Sequence, residues 1–214
     1  MPARVNIGCG ATPTQGWVNI DNSPSIALSR APDFALRAVE RLGFLRPEQL
    51  RVVHAAREFG IRRASATSLP FEEGTVGVIY SSHMLEHLDR EEARRFLGEA
   101  HRVLQVGGRI RLVVPDLDHY VREYQREADA DAFLENLLLS MPRERGRKRL
   151  IQHLVGFRGH RWMYDAASLE RLLESCGFTD VAAVGSGETS IPDVGDLDLR
   201  EREEESIYVE ARKP

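Results

Sequence analysis

Cysteine is nearly absent from this 214-residue sequence, which holds only Cys9 and Cys176. The two stand in unlike contexts, so neither a disulfide framework nor a metal-knuckle spacing is read from them, and a reducing compartment is expected. Long hydrophobic runs are missing as well. The chain opens Met1-Pro2-Ala3-Arg4 and enters only a short apolar stretch, so no signal peptide or membrane span is expected and the reading is cytoplasmic. Positive charge is not in excess: 29 Lys and Arg against 33 Asp and Glu leave a formal charge of −4. General nucleic-acid binding needs a large cationic surface to displace counterions and is therefore excluded. No internal repeat is present. The apolar share of 42% is that of a globular chain, and the length suits one domain spanning residues 1–214.

What is present is an alternation of strand and helix signals. Val5 and Ile7 lead into Gly8-Cys9-Gly10, and Trp17-Val18-Asn19-Ile20 ends at Asp21, two short strands each running into a turn. Helical spacing follows between about 31 and 59, with breaks near Gly43 and Pro47 that divide it into two helices. Val76-Gly77-Val78-Ile79-Tyr80 is continuous and largely β-branched, as befits a central strand of a parallel sheet. Asp89 and Glu92 resemble a capping box for a helix along Ala93, Phe96, Leu97, Ala100 and Val103, expected to end at Gly107-Gly108. A strand over 109–114, a helix over about 117–128, a helix opened by Asp165 and closed by Gly177, and strands over 178–184 and 207–211 complete the series. The apolar stripe Phe133, Leu134, Leu137, Leu138 and Met141 has no strand partner and reads as an added helical cap at about 129–164. Such alternation implies an α/β, doubly wound, mainly parallel seven-stranded sheet with helices on both faces. Ligands of such sheets bind at the carboxyl ends of the strands, where strand order reverses.

The residues that end strands therefore carry the functional reading. Gly8 and Gly10 permit close approach of backbone to a ligand. Asp21, eleven positions beyond Gly10, ends the next strand, where a carboxylate accepts both ribose hydroxyls of a nucleoside. A dinucleotide fingerprint needs a third glycine opening a helix and an acidic residue about 20 positions on. Pro13 and Gly16 occupy the interval instead, so the helix N-terminus that binds pyrophosphate is missing. A nucleoside without phosphates is the better ligand, and a nucleotide-linked oxidoreductase is disfavoured.

On these residues the chain resembles the class I S-adenosylmethionine-dependent methyltransferases of the methyltransferase-11 type. The resemblance rests on residues 5–10 with 16–21, then Leu69-Pro70-Phe71, residues 78–87, Arg102-Val103-Leu104 with Gly107-Gly108, and Val114-Pro115-Asp116-Leu117. The segment Gly159-His160-Arg161-Trp162-Met163-Tyr164-Asp165 is similar to one in a bacterial subgroup placed near surface-glycan genes. The resemblance implies S-adenosylmethionine as cofactor, with contacts along Gly8, Cys9, Gly10, Asp21, Ser65, Ala66, Ser81, Ser82 and His83. It also implies the Rossmann-like form of the fold. The chain departs from the family where relatives carry an aspartate for the adenine amino group: here Ala64-Ser65-Ala66 stands, and a neutral hydroxyl is the weaker acceptor.

Methyl transfer asks the protein chiefly for alignment, because the sulfonium is already activated. An oxygen acceptor usually also needs a base, and His83, His160 and Asp116 are the candidates near strand ends. His83, Glu86 and His87 raise the question of a metal, but His83 and His87 share a face only if the segment is helical, and a loop-orienting role with no metal is the favoured reading. The loop 156–164 with the helix around 133–141 is expected to cover the cleft opposite the cofactor. There Trp162 and Tyr164 would either stack a sugar ring or anchor the loop to the core. The basic run Arg143, Arg145, Arg147, Lys148 and Arg149 is either a solvated face or a rim for an anionic acceptor or an anionic membrane surface. Residues 201–205 read as a solvated approach to the last strand. The expected activity is methyl transfer to oxygen or nitrogen of a small molecule or glycan; the alternative is a non-catalytic cofactor-binding or accessory protein of the same fold.

Overall fold

The structure, a computed structural model, describes residues 2–41, 45, 47–139 and 159–214. Seven strands form one sheet: β1 (Ala3–Ile7), β2 (Val18–Asp21), β3 (Arg62–Arg63), β4 (Val76–Ser82), β5 (Leu104–Pro115), β6 (Thr179–Val184) and β7 (Ser206–Arg212). Their spatial order is β3-β2-β1-β4-β5-β7-β6. The first five are parallel, while β7 runs antiparallel between β5 and β6. Strand order reverses between β1 and β4, which opens the carboxyl edge at that point. The doubly wound, mainly parallel sheet expected from the alternating pattern is the observed one, and β4 lies at its centre.

The described helices are α1 (Ser25–Leu28), α2 (Asp33–Arg41), α3 (Pro47–Phe59), α4 (Arg90–Val103), α5 (Leu117–Glu127), α6 (Ala130–Asn136) and α7 (Ala166–Ser175), with a 3₁₀ turn at Leu85–His87. Helix α4 begins as its sequence requires. The Asp89 side chain accepts from the N–H groups of Glu91 and Glu92, and the Glu92 carboxylate accepts from the Asp89 N–H. Its Ala93, Phe96, Leu97, Ala100 and Val103 are fully buried against the sheet, so the stripe read from their spacing is the core-facing one. Asp165 caps α7 through Ser168 in the same manner.

One expectation is corrected. Gly107 and Gly108 do not form a loop after α4; they lie inside β5, where the pairing with β4 slips between Val76 and Val78 and the left-handed Gly107 absorbs the surplus residues as a bulge. On α2, Phe34 is 74% exposed and Leu36 is the residue turned inward. The 3₁₀ turn after β4 is too short for His83 and His87 to share a helix face. Of the cap expected at 129–164, residues 129–139, with α6, and residues 159–164 are described. Met141, the basic run from Arg143 to Arg149, and the loop from Gly156 to Arg158 lie outside the described residues, as do Leu42 and Gly43.

Candidate functional site

The cleft at the reversal of strand order has a volume of about 590 Å³ and is lined from both sides of that point. Its floor on the β1 and β2 side is built by a short, highly bonded turn. The Gly8 N–H donates to the Ile20 carbonyl at 2.8 Å, so the glycine turn is tied to the next strand before it departs. Gly8 has φ +75°, and a β-carbon there would lie 2.7 Å from Cβ of Met84, so this position admits glycine alone. Gly10 is also left-handed, at φ +51°, but its missing side chain borders open space. Two buried amides hold the rest of the turn. Asn6 donates to the Thr12 carbonyl and the Thr14 hydroxyl, while Asn19 accepts from the Thr14 N–H at 2.8 Å and donates to its carbonyl. These bonds replace the helix that a dinucleotide-binding turn would have, and the polar residues Asn6 and Asn19 within apolar strands were the unread signal of them.

Asp21 lies across the cleft end of β2. Its Oδ2 accepts the Gly10 N–H at 2.9 Å and its Oδ1 accepts the Ser23 N–H at 2.6 Å. A carboxylate has about four lone-pair sites, so both oxygens keep acceptor capacity. Ser65 is two residues past β3 and lines the same cleft with Ala64, Ala66 and Thr67. The Ser65 hydroxyl is 2.9 Å from that of Thr67 and accepts the Thr67 N–H, which makes two neutral hydroxyls where the resemblance calls for one carboxylate.

The opposite wall gathers His83, Met84, Glu86, His87, Leu88, Leu138 and His160. His83 has a left-handed backbone, φ +47°, held by its N–H donating to the Val113 carbonyl at 2.9 Å. Arg202 reaches to within 3.3 Å of His83 Nδ1. A guanidinium only donates, so Nδ1 accepts and Nε2–H donates to the Ser206 hydroxyl at 2.9 Å. His160 is buried, with Nε2 4.0 Å from Glu86 Oε1 and its ring centre 5.2 Å from that of His87. Burial pushes its pKa below the ordinary imidazole value, and the opposing pull of Glu86 does not cancel this. Burial thus favours the neutral ring, which keeps a lone pair on one nitrogen.

Several residues expected at the site stand elsewhere. The Cys9 side chain turns away from the cleft into a small core with Ile26, Ala55, Ala56 and Ile61, and burial pushes its thiol pKa far above the usual range. Ser81 and Ser82 are buried inside β4 and do not line the cleft. Asp116 caps α5 by accepting the Asp118 N–H and faces Arg122, away from the cleft wall. Of the aromatic pair, Tyr164 is buried and bridges to Asp116, while Trp162 lies outside under the Arg90 guanidinium at 4.7 Å. The anchoring role describes Tyr164; Trp162 is neither buried in the core nor among the residues lining the cleft. Asn22, Ser23, Pro24, Thr67 and Arg202 line the cleft without having been read from the sequence. Arg202 belongs to the stretch expected to be merely solvated; its neighbours Glu201 and Glu205 bond to Tyr80 and Tyr120 and fold that stretch back over the sheet edge.

Sheet order and cleft together define a Rossmann-like, class I methyltransferase fold. The sequence matches the family described as "Methyltransferase domain" over residues 5–112, and the chain belongs to that family. It is similar in fold to a S-adenosylmethionine-dependent methyltransferase of Thermotoga maritima, a possible histamine N-methyltransferase. That likeness has 15% identity and a TM-score of 0.55, and covers 100% of this chain and 83% of that one. A S-adenosylmethionine-dependent methyltransferase of Archaeoglobus fulgidus is similar at 14% identity and a TM-score of 0.50, over 99% and 86% of the two chains. No curated protein matches the sequence significantly. No helix among the described residues is long and apolar enough to cross a membrane.

Proposed function

We propose that this chain is a S-adenosylmethionine-dependent methyltransferase, acting in the cytoplasm as one domain, that transfers a methyl group to oxygen or nitrogen of a small molecule or glycan. The observation that carries the reading is the carboxylate of Asp21, oriented by the Gly10 and Ser23 N–H groups at the cleft end of β2 beside a glycine turn with no phosphate-binding helix. A carboxylate there repels phosphate and suits a ribose, and the open space at Gly10 leaves room for a ligand against the backbone. The donor set thus fits a nucleoside cofactor. When bound, that cofactor supplies a methyl group activated by a sulfonium.

The protein's own residues do the rest. Asp21 accepts the ribose hydroxyls, Ser65 and Thr67 offer hydroxyls to the base, and Ala66, Ile20 and Leu88 give the cleft apolar surface. His160 takes the acceptor's proton, and Arg202 at the rim gives the acceptor side a cation. That cation supports an anionic or sugar-linked acceptor, the class that the 159–165 segment's resemblance to glycan-associated proteins suggests.

Calorimetric titration with S-adenosylhomocysteine tests the reading. Asp21→Ala removes charge-assisted hydrogen bonds worth about 1.5 to 3 kcal/mol, so affinity should fall about 10- to 150-fold. Unchanged affinity in a folded Asp21→Ala protein would sink the assignment. A second reading, a cofactor-binding accessory protein without turnover, is favoured by Ser65 alone. Ser65→Asp places an anionic acceptor in the same wall and should tighten S-adenosylhomocysteine binding; weaker or equal binding would mean that Ser65 does not face the adenine.

A further inference from the structure

We infer that Glu86, His87 and His160 form a binding site for one divalent transition-metal ion, of the zinc kind, on the acceptor side of the cleft. One ligand atom from each lies within 4.8 Å of the other two. Tetrahedral zinc bonds of about 2.0–2.1 Å set a ligand spacing of about 3.3 Å, so an ion would draw the three side chains closer together. Two imidazoles and one carboxylate are the donor set that divalent zinc takes with a further position left open.

The independent observation is the state of Glu86. Its side chain is 1% exposed, it borders the cleft, and neither carboxylate oxygen has a hydrogen-bond partner among the described residues. A buried carboxylate so placed costs several kcal/mol unless a cation or donors compensate it. His83 Nδ1 is 3.4 Å away, but it accepts from Arg202 and brings no proton to Glu86. The imidazoles are prepared as ligands. His87 Nδ1 meets the Gly159 carbonyl at 3.3 Å; a carbonyl only accepts, so Nδ1 carries the hydrogen and Nε2 keeps its lone pair. His160 Nε2 already faces Glu86.

The backbone holds the three together. The N–H groups of Arg161 and Trp162 donate to the Glu86 carbonyl at 2.7 and 3.2 Å, and the His160 N–H donates to the Leu138 carbonyl at 3.1 Å. The segment bearing His160 is thus pinned to the turn bearing Glu86 and His87. An ion in this position lowers the pKa of an oxygen bound to its open position. If the cleft transfers methyl groups, a consequence that rests on the function proposed above, His160 serves as base only in the metal-free protein; with the ion bound it would be a ligand, and an acceptor hydroxyl at the open position would lose its proton to solvent. Its oxygen then attacks the methyl carbon as the carbon–sulfur bond breaks and the sulfonium becomes a neutral sulfide.

The test uses the full chain, stripped with a chelator and titrated with zinc chloride by calorimetry, with bound metal counted by mass spectrometry. One zinc per chain is expected. Loss of an outer-shell partner alone costs about 10- to 100-fold in metal affinity, so Glu86→Gln and His87→Asn should each lower zinc affinity by at least about 100-fold. His87 is only half-buried and Glu86 is enclosed, so His87→Asn is the variant that keeps the fold if Glu86→Gln does not. Zinc binding absent, or equal in the His87→Asn protein, would overturn the site. S-adenosylhomocysteine affinity of stripped and zinc-loaded protein should be the same, so a failure of the cofactor reading is seen separately.

Discussion

His160→Ala is expected to lower methyl transfer by about 10² to 10⁴-fold, the contribution of a positioned general base, while leaving S-adenosylmethionine affinity nearly unchanged. The side chain is 7% exposed, lines the cleft, and stands opposite the glycine turn and Asp21. Burial favours the neutral ring, and the Glu86 carboxylate 4.0 Å away opposes that effect by favouring the imidazolium that proton uptake creates. At that distance the carboxylate acts through its charge, without a hydrogen bond to the ring. Initial rates of S-adenosylhomocysteine release with hydroxyl-bearing sugars and small molecules, set against calorimetric cofactor affinity, give the two readouts. Rates measured with and without added zinc separate the two uses of the ring. A rate indifferent to metal assigns His160 as the base, whereas a metal-dependent rate assigns it as a ligand. Full activity in the variant would move the acceptor side to His83.

The second large effect falls on stability. Arg111 and Glu210 are register partners on β5 and β7, paired at 2.6 Å with side chains 0% and 2% exposed. Arg111 also donates to the carbonyls of Glu188 and Leu199 and lies over the Tyr208 ring, while Glu210 accepts from Thr189 and Ser190. Arg111→Met leaves Glu210 buried without its countercharge, and a loss of about 3 to 5 kcal/mol is expected in urea denaturation. The double variant Arg111→Met with Glu210→Met should recover most of that loss, because apolar replacement of a buried pair is often near neutral. A single-variant loss below about 1 kcal/mol would show that the pair is hydrated, since exposed pairs are worth that little. The acid side follows from the same contacts. Burial raises the Glu210 pKa, but hydrogen bonds from Ser190, Thr189 and Arg111 outweigh it and hold the carboxyl below its usual range. Its stabilisation is present above the unfolded carboxylate value and is lost as pH falls through the lower folded one. Without Arg111 the folded value rises, so acid unfolding should begin at higher pH.

This pair also shows where reading along the chain fails. Arg111 in a strand and the polar residues 185–205 carry no local mark of their meeting, because it is made by β7 inserting antiparallel beside β5. The same holds for Arg202, which an acidic, apparently solvated stretch delivers to the cleft. His160 was read from its flanking residues, yet its meeting with Glu86 and His87 was not, since the 3₁₀ turn and the bonds to the Glu86 carbonyl depend on chain segments more than 70 positions apart. The side chains of Asp116, Ser81, Ser82 and Cys9 turn from the cleft, which the sequence does not show for a related reason: proximity to a strand end does not say to which side a residue turns.

The sequence by itself determined the alternation of strands and helices, the capped starts of α4 and α7, the central place of β4, and the approach of Gly8 and Gly10 to Asp21. Each of these is carried by short-range physics: side-chain period, capping bonds, and the conformational freedom of glycine. Only the tertiary structure decided which histidines share the cleft, that Tyr164 anchors its loop and neither it nor Trp162 lines the cleft, and that a buried carboxylate stands there without a partner among the described residues. Those facts depend on the direction of each side chain relative to a sheet assembled from distant strands, and burial and charge pairing are properties of that assembly alone.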